Sequence, residues 1–101
     1  AAADYLSQAA RGLPRRSRIH YNLGLLQQQL RRDPEAETSL KQALAIEPDR
    51  PEYAYALAVF YLQRRQFDKA RQVAEKMIAE PASRSEGERL LTIIEQQRQA
   101  P

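Results

Sequence analysis

The feature that most constrains this chain is that it repeats itself. Residues 17–50, SRIHYNLGLLQQQLRRDPEAETSLKQALAIEPDR, overlay residues 51–83 at an offset of 34. Tyr21 then falls on Tyr55, Leu23 on Leu57, Gly24 on Ala58 and Ala36 on Ala70. Running backwards, Ala36 falls on Ala2, Leu40 on Leu6, Ala43 on Ala9 and Pro48 on Pro14. A period of this size with helical patterning describes supersecondary units that cannot bury their apolar faces alone and must stack.

The spacing within each unit predicts two helices. Ile19, Leu23, Leu26 and Leu30 recur every three or four residues in a helix from Ser17 to Arg31. Asp33-Pro34-Glu35 starts the next: Asp33 as N-cap, Pro34 at the first helical position, Glu35 on the positive end of the dipole. Ala36, Leu40, Ala43, Leu44 and Ile46 form its stripe, and Pro48 ends it. Asp49-Arg50-Pro51 repeats the start logic for a helix over 51–64, with Tyr53, Leu57, Phe60 and Tyr61 inward. Asp68 is available to cap the partner helix, which runs to Glu80 with Val73, Ala74, Met77 and Ile78 inward. Ser83-Arg84-Ser85-Glu86 has the spacing of a capping box for a last helix ending near Gln97, and Arg98 to Pro101 is expected to fray. Residues 1–12 form a half-unit, with Ala2, Leu6 and Ala9 on one face and Gly12 and Pro14 as stops. A half-unit suggests a fragment of a longer repeat protein.

The strings Tyr21-Asn22-Leu23-Gly24 and Ala43-Leu44-Ala45-Ile46-Glu47-Pro48 resemble the consensus of the tetratricopeptide repeat family. That family's pattern is Trp-x-x-Leu-Gly-x-x-Tyr, then Ala-x-x-x-Phe, then Pro. Here it stands as His20-x-x-Leu23-Gly24-x-x-Gln27, then Ala36-x-x-x-Leu40, then Pro48. His20 and Gln27 depart from it. The resemblance implies an all-α fold: antiparallel helix hairpins stacked into a right-handed α-solenoid. Its parts are the second helix of a truncated repeat over residues 1–14, repeats over 15–50 and 51–83, a capping helix over 84–98 and a tail over 99–101. Small residues at Gly24, Ala36, Ala43, Ala58 and Ala70 let the helices approach closely. Leucine at Gly24 or Ala70 should overpack the seam, whereas Gln27→Ala is expected to be neutral.

In the family, the outward positions of the first helices line a concave groove that binds a protein or peptide. Carried over, those positions are Arg18, Tyr21, Asn22, Leu25, Gln28 and Gln29, then Glu52, Tyr55, Ala56, Val59, Leu62 and Gln63. Tyr21, Leu25, Tyr55, Val59 and Leu62 are apolar or aromatic where plain exposure favours charge. Some relatives grip a peptide's terminal carboxylates with Lys and Asn. Tyr21 and Leu25 stand at matching positions, so that clamp is missing.

Arg31, Arg32, Arg64 and Arg65 fall at the ends of first helices, where cations complement the dipole; Arg15, Arg16 and Arg18 precede the first. A net charge of +3 and no aromatic interleaving give no reason to expect nucleic acid. No apolar run approaches the roughly 20 residues of a membrane span. The chain has no cysteine, and its one histidine, His20, sits on the seam. Neither a catalytic set nor a metal or cofactor site is expected. The expected role is a protein–protein interaction scaffold or adaptor. The alternative is a self-assembly element, in which the apolar groove or the apolar face of residues 1–12 closes a homo-oligomer.

Overall fold

The computed structural model describes residues 17–100. The half-unit expected over residues 1–14 lies outside them. The described residues form five α-helices and one 3-10 turn, with no strand: α1 (Ser17–Gln29), α2 (Asp33–Ile46), α3 (Pro51–Gln63), α4 (Phe67–Ala79), the turn Pro81–Ser83, and α5 (Arg84–Gln99). The described residues divide into two compact units, separated between Pro48 and Asp49. In the first, α1 packs on α2; in the second, α4 packs on both α3 and α5.

Both first helices end in the same way. Arg32 N–H donates to the Gln27 carbonyl at 2.8 Å and Arg31 N–H to the Gln28 carbonyl at 3.1 Å. The pattern recurs at the same offset: Gln66 N–H to Tyr61 at 2.9 Å, and Arg65 N–H to Leu62 at 3.0 Å. These paired reverse bonds are the Schellman closure, which satisfies carbonyls that the helix leaves open. It needs a left-handed residue, and Arg31 (φ 60°) and Arg65 (φ 58°) supply it. The next helix begins at once, with Ala36 N–H on the Arg32 carbonyl and Ala70 N–H on Gln66. Arg32 and Gln66 are therefore the N-caps, each without a side-chain cap bond. Asp33 and Asp68, expected as caps, instead lie in the first turn. They still favour it through the helix dipole.

Left-handed backbone costs an L-residue about 1–2 kcal/mol, and glycine escapes that cost. We expect Arg31→Gly to raise the melting temperature by about 3–5 °C, the equivalent of 0.5–1 kcal/mol in a domain this small. Circular dichroism melts would check this, and a lower melting temperature would contradict the turn geometry.

The first unit is zipped by a tight, partly polar seam. Leu23, Ala36, Leu40 and Ala43 are buried with Ser17, His20, Gln27 and Ser39. The expected stripe of α1 is corrected: Leu23 is buried, Ile19 and Leu26 are half-buried, and Leu30 is 50% exposed. Gln27 is also corrected. Its side chain is buried and accepts a hydrogen bond from the Ser39 hydroxyl at 2.7 Å. The equivalent positions in the second unit are Tyr61 and Val73, so a polar pair stands where the other repeat has an apolar one. Gln27→Ala leaves the Ser39 hydroxyl buried without that acceptor and should cost about 1–3 kcal/mol in denaturant melts. A neutral result would show that the seam tolerates the loss. The ends of the hairpin are joined by Ser17, whose hydroxyl donates to the Glu47 carboxylate.

In the second unit α3 is buried on most of its circumference: Tyr53, Ala54, Leu57, Ala58, Phe60, Tyr61 and Leu62. Helix α4 contributes Ala70, Ala74 and Met77, and α5 Gly87, Leu90 and Ile94. The capping box expected at Ser83 is not formed. Its hydroxyl turns back and donates to the Met77 carbonyl at 2.7 Å, and Arg84 Nε donates to the Ile78 carbonyl at 3.1 Å. Both bonds satisfy open carbonyls at the end of α4. Helix α5 also continues through Arg98 and Gln99, where fraying was expected.

Candidate functional site

Each unit presents the outward face of its first helix. On α1, Arg18, Asn22 and Gln29 are exposed, while Tyr21, Leu25 and Gln28 are half-buried. At 100° per residue these six share one arc, opposite the buried His20, Leu23, Gly24 and Gln27. The seam residues therefore hold the outward set in place: once Leu23 and Gly24 face α2, Tyr21 and Leu25 have no choice of side.

On α3, Glu52 and Gln63 are exposed, Ala56 and Val59 are half-buried, and Tyr55 is 44% exposed. Leu62 departs from the expectation. It is 8% exposed and belongs to the core. Helical geometry places it between Tyr55 and Ala58, at the rim of the buried arc, so one side chain of the expected set is spent on packing. The remaining outward residues are nearly free of net charge. Glu52 is held by Arg50 at 3.0 Å, leaving Arg18 as the cation of the two faces.

Arg64, directly after α3, serves the helix end, as its sequence position suggests. The Arg64 guanidinium lies 4.0 Å from the Phe60 ring centroid and donates to the Phe60 carbonyl at 3.3 Å. Among the described residues no three His, Cys, Asp or Glu side chains gather as a metal site, and no helix is long and apolar enough to cross a membrane.

Two family models match the chain, both described as tetratricopeptide repeat, one over residues 17–50 and one over residues 34–94. The chain belongs to the tetratricopeptide repeat family. As a tetratricopeptide repeat protein it is all-α, built of helix hairpins in series, and repeats of this family are generally protein-interaction modules of non-catalytic, scaffolding type. Comparison with curated proteins finds no match. In this repeat protein the seam positions of the family pattern, His20, Leu23, Gly24, Gln27, Ala36 and Leu40, are all buried. Of the two surfaces offered for self-assembly, the apolar face of Ala2, Leu6 and Ala9 lies outside the described residues. Gly87, which governs how α5 seats, is a position that period-matching alone does not single out, because the register shifts after Pro81.

Proposed function

We propose that this tetratricopeptide repeat protein is a scaffold or adaptor. It binds a segment of a protein partner along the outward faces of its first helices, the positions that line the concave groove in the family. Arg18, Tyr21, Asn22, Leu25 and Gln28 of α1 and Tyr55 and Val59 of α3 are the contact residues. Leu62 supports the face from the core side. The observation that carries this reading is Tyr55, a large aromatic left 44% exposed on an otherwise well-buried helix. Exposed aromatics with half-buried apolar neighbours are what interface anchors look like before a partner covers them. Because the faces are nearly uncharged, the expected ligand is an apolar, extended or helical segment, and catalysis has no part in the role.

The test is a binding titration with an identified partner segment. Tyr21→Ala and Tyr55→Ala should each weaken it by on the order of 2 kcal/mol. Raising the salt should change it little, since screening acts on exposed charges. Binding that survived both tyrosine changes but vanished with salt and with replacement of Arg31, Arg32, Arg64 and Arg65 would move the site to those arginines.

A further inference from the structure

Beside the turn from α3 to α4 the second unit has an open cleft of about 420 Å³, lined by Arg65, Gln66, Phe67, Asp68, Lys69 and Arg98. That volume falls within the roughly 300–1,000 Å³ of ligand-binding clefts. Three of the six lining residues are cations and one is an acid. We infer that this cleft takes the side-chain carboxylates of an acidic peptide segment of a protein partner.

Two of the three cations are positioned before any ligand arrives. Arg65 is fixed by the left-handed turn, and its guanidinium lies 5.1 Å from the Phe67 ring centroid. The Lys69 ammonium lies 5.6 Å from the Tyr61 ring centroid. Stacking engages the flat face of a guanidinium and leaves the N–H donors around its edge to meet carboxylates. A side chain already held on a ring loses less freedom when it binds. Arg98 comes from the last turn of α5 and forms no ion pair among the described residues. Asp68 likewise forms none, although its charge still lowers the positive potential of the cleft. The start of α4 adds the positive end of a 13-residue helix.

The cations are spread around a cleft far larger than one oxyanion, and Phe67 gives it an apolar wall. Both features suit successive carboxylates on a chain. The site shares no residue with the outward faces of α1 and α3, so it stands or falls independently of them.

The test is a titration of the full ¹⁵N-labelled chain with hexaglutamate at low salt, followed by amide shifts. Saturable shifts should gather at Arg65, Gln66, Phe67, Asp68, Lys69 and Arg98. The Lys69→Gln/Arg98→Gln double variant should bind about fivefold more weakly, the scale of losing two exposed charge contacts. Asp68→Asn should bind more tightly, while Tyr21→Ala and Tyr55→Ala should leave the affinity unchanged. Shifts scattered over Arg71, Arg84 and Arg89, or equal affinity in the double variant, would overturn the proposal. So would inorganic phosphate producing the same shifts at equal anion concentration. All three charge substitutions alter exposed side chains, so folding does not confuse the result.

Discussion

Gly24→Ala should destabilise the protein, even though alanine is the better helix former by about 1 kcal/mol. A Cβ at Gly24 would sit 2.9 Å from both Cγ and Cδ2 of Leu40 and 3.3 Å from its backbone nitrogen. Leu40 is fully buried and has nowhere to move. The second unit shows the alternative solution: its equivalent positions are Ala58 and Ala74, both fully buried. One repeat joins glycine to leucine, the other alanine to alanine. Overpacking of this kind costs about 1–3 kcal/mol, and Gly24→Leu belongs at or beyond the upper end. Leu40→Ala alone should cost about 2–5 kcal/mol through the cavity it leaves. In that background the sign for Gly24→Ala should reverse, because the methyl group then enters space that Leu40 has vacated. The coupling should reach about 1–3 kcal/mol in a double-mutant cycle. Equal stabilisation by Gly24→Ala in both backgrounds would mean that the two positions do not meet.

Gly87→Ala should have the second large effect. A Cβ there would lie 2.8 Å from the Ala74 carbonyl oxygen, 2.8 Å from Ile78 Cγ1 and 3.0 Å from the Ile78 backbone nitrogen. Two of these three atoms belong to the backbone of α4 and cannot rotate aside. Helix α5 must therefore move outward, weakening the burial of Leu90 and Ile94, each 1% exposed. We expect a loss of about 1–3 kcal/mol for alanine, and more for valine. Hydrogen exchange should locate the damage: amides of α5 should lose protection while those of α1 and α2 keep theirs. If Gly87→Ala instead raised the melting temperature, as helix propensity alone predicts, the close approach of α5 to α4 would be wrong.

The repeat period carried most of the fold because each of its signals is local. Pro34 and Pro51 mark helix starts, and small residues at Gly24, Ala36, Ala58 and Ala70 mark the seams; these survive as expected. What local pattern could not give was which of two chemically plausible bonds a side chain makes. Ser83 satisfies the end of α4 rather than capping α5, since its hydroxyl can reach the Met77 carbonyl once the 3-10 turn has formed. Gln27 departs from the consensus tyrosine and its loss was expected to be neutral; only its bond from Ser39 on the facing helix gives the buried amide a role. The left-handed turns at Arg31 and Arg65 were hidden because arginine gives no glycine-like signal for them. The outward face was legible as an arc on α1. On α3 the extent of burial decides which residues remain outside, and Leu62 crossed to the core side on that account. The acidic-peptide cleft joins residues 65–69 to Arg98, which the period does not align.

The measurement that most directly tests the central claim is site-specific photo-crosslinking. A photoreactive phenylalanine analogue would be placed singly at Tyr21, Leu25, Tyr55 and Val59 on the first helices, and at Thr38, Gln42, Gln72 and Glu75 on the second. All four second-helix positions are exposed, so both sets are accessible to a partner. With an identified partner segment, adducts should form at the first-helix positions and be absent from the second. Adducts confined to Thr38, Gln42, Gln72 or Glu75 would contradict the account and place partner binding on the opposite side of each hairpin.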